Sequence, residues 1–176
     1  MTAGVTARKD GDPGGKGSVT ADVVALIPAL RAFAWSLCRN TAEADDLVQD
    51  TLLKALANLD KFQEGTRLRA WLFTIMRNTF YSRVRTAGRE TTGIEDCVSG
   101  ELSQPATQEW TVRGTEVMRA VADLPPHYRD TLILVVMMGE SYEATAEICG
   151  CTVGTVKSRV NRARNMVMTA LGESAI

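Results

Sequence analysis

The sequence is poor in the residues from which catalytic centres are built. It holds one histidine, His127, and four cysteines, Cys38, Cys97, Cys149 and Cys151. No phosphate-cradling glycine loop and no paired carboxylates at a cleft-forming spacing accompany them, so no catalytic residue is expected and an enzyme is the weakest reading. Few and scattered cysteines point to small buried hydrophobes rather than to a disulfide framework. Cys149 and Cys151 bracket Gly150, but two local sulfurs and one distant imidazole do not complete a four-coordinate site, so neither a metal nor another cofactor is expected. No apolar run approaches the roughly 18 residues of a membrane span, and the first residues lack the apolar stretch of a secretory signal. A cytoplasmic address without a membrane span is the expectation. Strand-type alternation is missing too.

What remains is a globular composition: 176 residues, 45% hydrophobic and 23% charged, enough for one medium domain or two small ones. The net charge of −1 says nothing in favour of nucleic acid. Its distribution says more. Six arginines (Arg67, Arg69, Arg77, Arg83, Arg85 and Arg89) lie between positions 67 and 89 without one acid, and Lys157, Arg159, Arg162 and Arg164 fall in an acid-free stretch from 148 to 172. Glu43, Asp45, Asp46 and Asp50 fall in a stretch with no cation. Two basic surfaces and an acidic one are therefore concealed in a neutral sum.

The periodicity is helical throughout. Residues 1–19, rich in glycine and charge, are read as a disordered tail. Helices are expected over 21–39, with Pro28 either kinking one helix or opening a second, over 41–59 behind a Thr41 cap, and over 67–85 behind Thr66. The stretch 86–108 has no period and reads as a linker. Further helices are expected over 109–122, 125–138, 141–149 and 153–171, with Ser141 and Thr152 as starts. The fold class is all-α: a first domain over 20–86, a linker over 87–107 and a second domain over 108–176.

In the second domain Ala146, Gly150 and Val156 stand at the spacing of a helix-turn-helix. A small residue sits at the helix crossing, a glycine supplies the positive φ of the turn, and an apolar anchor lies on the second helix. Wrapped as a helix, 153–171 puts Val153, Val156, Val160, Ala163, Val167 and Leu171 in one stripe. The opposite face holds Gly154, Thr155, Ser158, Asn161, Arg162 and Asn165, flanked by Lys157, Arg159 and Arg164. Hydroxyls and amides between cations suit base edges and phosphates; a solvated basic face is the bland alternative.

In the first domain the helix over 41–59 has an apolar stripe of Val48, Leu52, Ala55, Leu56 and Leu59. Its charged side carries Glu43, Asp46, Asp50 and Lys54 with Leu47 and Leu53 at its borders, which suits protein docking or a solvated face. The helix over 67–85 interleaves rings with cations: Phe73, Thr74, Arg77, Asn78 and Tyr81 on an outward arc, Trp71 and Phe80 nearby. Rings beside cations are how single-stranded nucleic acid is held. Trp71, Phe73, Phe80 and Tyr81 cannot all face one core, so at least one is expected to be exposed or docked.

Four segments carry a family resemblance: Asp-Asp-Leu-Val-Gln-Asp at 45–50, Arg-Ala-Trp-Leu-Phe-Thr-Ile-Met-Arg-Asn at 69–78, Leu-Pro-Pro at 124–126 and Val-Gly-Thr-Val-Lys-Ser-Arg-Val-Asn-Arg-Ala-Arg at 153–164. In order and spacing they resemble the extracytoplasmic-function (ECF) sigma factors, and Leu-Cys-Arg-Asn with Arg-Asn-Thr-Phe-Tyr is similar to the general-stress-response subgroup. The resemblance implies a factor that binds core RNA polymerase and promoter DNA to direct transcription initiation, held off by a small helical anti-sigma factor and monomeric when free. It implies that Asp46, Gln49, Asp50, Leu53 and Lys54 grip the polymerase. It places Phe62, Gln63, Glu64, Gly65 and Thr66, with Arg77, Asn78 and Tyr81, on the melted −10 element. Thr155, Lys157, Ser158, Asn161, Arg162 and Asn165 would face the −35 element.

A tether of about 23 residues reaches at most roughly 75 Å, or about 22 base pairs of duplex, enough for one domain to read duplex while the other holds melted bases. A conventional helix-turn-helix regulator that reads duplex only and a sigma-like adaptor that sequesters a regulator are the competing readings.

Overall fold

The computed structural model describes residues 14–62, 66–90 and 109–172. Among them there are eight α-helices and no strand: α1 (Gly14–Ala25), α2 (Ile27–Cys38), α3 (Thr41–Ala57), α4 (Leu68–Glu90), α5 (Glu109–Ala122), α6 (Pro126–Leu132), α7 (Tyr142–Cys149) and α8 (Val153–Ala170). None is long and apolar enough to cross a membrane by itself.

Pro28 opens a second helix rather than kinking one. It occupies the first turn of α2, where its missing N–H leaves no bond unmade, and Leu26 makes the junction by donating to Asp22 and Val23. α1 begins at Gly14, inside the stretch expected to be tail. Val23 is buried and Val19 packs on the same core, and a helix anchored there extends backward at low cost. The cap of α3 is Asn40, not Thr41: its side-chain oxygen accepts from the N–H groups of Ala42 and Glu43, at 2.9 and 3.3 Å. α4 begins at Leu68 and runs to Glu90, past the expected end at Arg85 and into the expected linker.

α2, α3 and α4 pack around Leu30, Phe33, Leu37, Leu47, Val48, Leu72, Phe73 and Met76, with the Phe33 and Phe73 rings 4.8 Å apart. Thr51 also belongs to this core; its hydroxyl donates to the Leu47 carbonyl at 2.7 Å, which satisfies it without water. The buried side of α3 is therefore Ala44, Leu47, Val48, Thr51 and Ala55, rotated from the stripe expected. Leu47 is in the core and Leu56 is half exposed.

In the second domain α8 packs on α5, α6 and α7 through Val156, Val160, Ala163 and Val167. After Leu132 the helix widens into a π turn, Ile133–Met137, closed by the Met138 N–H on the Ile133 carbonyl and left through Gly139 at φ 68°. Ile133 and Leu134 stay buried while Val136 and Met137 face outward.

The two domains touch. α4 packs against α7, and α2 against the π turn. From α4, Arg69 pairs with Glu140 and donates to the Met138 carbonyl, and Arg77 and Tyr81 both reach Asp130 on α6.

Candidate nucleic-acid interface

The turn between α7 and α8 is built as its spacing demands. Gly150 ends α7 at φ 63°, ψ 42°, a left-handed conformation that costs glycine little, and the Cys151 N–H closes onto the Ala146 carbonyl in the manner of a Schellman cap. Ser141 caps α7 through the Ala144 N–H, and Thr152 caps α8 through the Thr155 N–H. Val156 is wholly buried and Ala146 nearly so.

This fixes which side of α8 faces out. Lys157, Ser158, Asn161, Arg162, Arg164 and Asn165 are all exposed. Among the described residues, no ion pair takes up Lys157, Arg162 or Arg164. Thr155 is half-buried, its hydroxyl shared with Thr152 at 2.9 Å, so it belongs as much to the cap as to the face. Arg159 is drawn aside toward the Cys151 sulfur. The result is an unneutralised basic helix face with amide and hydroxyl groups between its cations.

The residues expected on the melted strand divide into two groups. The Phe62 ring lies 5.2 Å from Trp71 at one end of a groove of about 420 Å³ lined by Lys54, Asn58, Lys61, Trp71, Ile75, Asn78, Thr79 and Ser82. Asn78 is exposed there, and Thr66, outside the groove lining, is exposed as well. Gln63, Glu64 and Gly65 lie outside the described residues. Arg77 and Tyr81 point to the other side, into the domain contact. Phe73 is not outward at all, because α2 covers it.

Around Asp130 the chemistry is that of a buried charge cluster. Arg77 Nε and Tyr81 Oη both donate to Oδ2, at 2.9 and 2.7 Å, and the Arg77 guanidinium lies over the Tyr81 ring. Burial, then the Asp130 charge and hydrogen bond, push the Tyr81 hydroxyl far above its ordinary pKa. For Arg77 burial works against the cation, but the Asp130 carboxylate raises its pKa on balance. Cys149 stands beside this cluster as a half-buried free thiol, pushed up to about 11, chiefly by burial.

Of the residues expected to grip a polymerase, Asp46, Gln49 and Leu53 share the exposed outer side of α3. Asp50 is half-buried and paired with Arg83. Lys54 turns away from them, its ammonium donating to Thr79 Oγ1 at 3.1 Å, which puts it in the groove. Sequence reasoning missed Lys61 as a groove residue and Lys54 as its neighbour. For Lys61 the signal was available, since it stands next to Phe62 in the sequence; Lys54 stands eight positions before it, and only the fold brings it to the groove.

Residues 23–90 match the family model for sigma-70 region 2, and residues 115–167 that for sigma-70 region 4. The chain is 49% identical to the ECF RNA polymerase sigma factor EcfG of Rhodopseudomonas palustris over 154 residues, 88% of this chain and 85% of the relative. Its fold is similar to that of the sigma factor RpoE of Bartonella quintana, solved in complex with the anti-sigma factor NepR. That likeness has a TM-score of 0.74 at 42% identity and covers 88% of this chain and 97% of the other. It is also similar to CnrH, solved with the cytosolic domain of CnrY, at a TM-score of 0.67, 26% identity and 90% of each chain. A region 2 fold carrying a ring-and-cation groove, followed by a region 4 helix-turn-helix with an open basic face, together with these likenesses, shows that the chain belongs to the ECF RNA polymerase sigma factors and groups with the EcfG-like members.

Proposed function

We propose that this chain binds core RNA polymerase, directs it to a set of stress-response promoters in the cytoplasm, and is held inactive by a small helical anti-sigma factor. It acts as a non-enzymatic initiation factor. The observation that carries the reading is the coexistence in one chain of two different surfaces suited to nucleic acid: the open basic face of α8 and the groove between α3 and α4. A regulator that reads duplex alone has no use for the second.

On this reading Lys157, Ser158, Asn161, Arg162 and Asn165 enter the major groove of the −35 element, with Thr155 at the edge of the contact. Phe62, Thr66 and Asn78, with Gln63, Glu64 and Gly65, hold bases of the melted −10 strand, joined by Arg77 and Tyr81. Asp46, Gln49 and Leu53 form the polymerase contact, with Asp50 beside them. Lys54 is reassigned to the strand, because its ammonium faces the groove. Extruding a base costs a few kcal/mol, and stacking on protein returns about 1–3 kcal/mol. The balance is near zero, so the polymerase supplies the drive and the free chain binds promoters weakly. The likeness to a sigma factor captured with NepR supports control by an anti-sigma factor.

Run-off transcription with purified core enzyme on a promoter library tests the proposal. Start-site-specific transcripts that need both proteins are expected. Asn161→Ala should relax sequence preference at one −35 position by about 1–3 kcal/mol, whereas Lys157→Ala should lower output evenly across promoters. Absence of any specific transcript would overturn it.

A further inference from the structure

Two of the residues assigned above to the melted strand already have a partner. Arg77 and Tyr81 lie on α4 of the first domain, Asp130 on α6 of the second, and both hydrogen bonds converge on one carboxylate oxygen. Asp130 is 0% exposed. Its other oxygen accepts no hydrogen bond and stands 3.9 Å from Arg129 Nε, which is equally without a partner. Beside this contact Arg69 pairs with Glu140 and donates to the Met138 carbonyl, and Arg67 reaches Ser141 at 3.5 Å. In each hydrogen bond named here that crosses between the domains the donor lies on α4 or, for Arg67, just before it, and the acceptor lies in the second domain.

The exposed face of α8 takes no part in these contacts. We propose that Asp130 is an internal occupant of the strand-binding surface: in the free chain it holds Arg77 and Tyr81 where nucleic acid would, leaving the duplex-reading face open and the strand-reading surface incomplete. The proposal rests on the assignment of Arg77 and Tyr81 to the melted strand.

Chemistry makes this occupancy reversible. A buried ion pair gains little net stability once both charges have been desolvated, and this one leaves a carboxylate oxygen and a guanidinium nitrogen unmatched, which weakens it further. Opening returns Asp130 and Arg129 to water. It frees Arg77 for an anionic oxygen on another molecule, since phosphate and carboxylate satisfy a guanidinium equally well. Closure therefore acts as a competitor, and apparent strand affinity scales with the fraction of chain that is open.

The test uses the full chain, with Asp130→Asn and Glu140→Gln made separately. Asp130→Asn keeps shape and one acceptor but removes the charge. Glu140→Gln weakens closure at a contact that touches neither Arg77 nor Tyr81, and it serves also if the buried substitution impairs folding, which circular dichroism reports. Binding of a fluorescent single-stranded DNA pool is followed by anisotropy, binding of a duplex pool likewise, and the radius of gyration by small-angle scattering.

Strand affinity is expected to rise about three- to tenfold in Asp130→Asn and less in Glu140→Gln, each with a larger radius of gyration and unchanged duplex affinity. Unchanged strand affinity in both variants would overturn the proposal. So would a gain without expansion, which would make the effect one of local charge. Loss of run-off transcription by the unmodified chain would instead overturn the proposed function, and the strand titration does not depend on that result.

Discussion

The ammonium of Lys54 lies 3.1 Å from the hydroxyl of Thr79, carrying a cation of α3 across to α4 beside Trp71 and Asn78. Four residues earlier the same helix presents Asp50, and on its outer side Asp46 and Gln49. Both side chains meet α4, the Asp50 carboxylate at Arg83 and the Lys54 ammonium at Thr79.

Replacing Lys54 by glutamine keeps a polar end and removes the charge. Single-strand binding should weaken whatever the base sequence, and the slope of log affinity against log salt should become shallower by about 0.7. Anisotropy titrations at several salt concentrations measure it; an unchanged slope would mean that this ammonium meets no phosphate.

Leu47 and Leu53 differ by burial, 0% against 60% exposed. Leu47→Ala should cost about 2–5 kcal/mol in a urea melt. Leu53→Ala should stay within about 0.5 kcal/mol yet reduce capture by core polymerase in a pull-down. Equal losses of stability would contradict the buried face assigned to α3.

No atom beyond its chain neighbours would come within 4 Å of a Cβ added at Gly150, so a substitution there meets backbone strain and no clash. Gly150→Ala should lower stability by roughly 1–2 kcal/mol and Gly150→Asn by less, because asparagine tolerates the left-handed region. Calorimetry separates the two, and the same order is expected for weakened duplex binding.

Burial holds the Cys149 thiol at about 11 against its ordinary 9.0. A raised value means that folding favours the neutral thiol. The contribution is complete below about pH 9 and lost as pH climbs through about 11. At pH 8 the thiolate fraction should be about a hundredfold smaller than in the unfolded chain. Iodoacetamide labelling followed by peptide mass spectrometry should show that ratio between native and urea-unfolded protein; equal rates would contradict it.

Helix-turn-helix geometry was legible in the sequence because each of its determinants is local: Gly150 supplies its own φ, and Val156 and Val160 recur with the helix period. The buried side of α3 was harder to read. Thr51 looks polar in a hydropathy pattern but is satisfied by its own helix, so an apolar stripe drawn without it is rotated from the buried side, sharing only Val48 and Ala55 with it. Asn40 and Thr41 are both competent caps, and only the bonds to Ala42 and Glu43 decide between them. At least one ring among Trp71, Phe73, Phe80 and Tyr81 was expected to be exposed or docked, and Tyr81 is docked. Its partner, Asp130, lies 49 positions away, and no local pattern marks an aspartate for burial.

The widened turn at Ile133–Met137 makes the residue count there matter as much as residue type. Each position advances a helix by about 100°, so removing one residue to restore ordinary winding would swing Val136 and Met137 toward the interior. It would also carry Glu140 out of register with Arg69. Segment length, alongside the side chains at the contact, sets how the two domains of this sigma factor face one another.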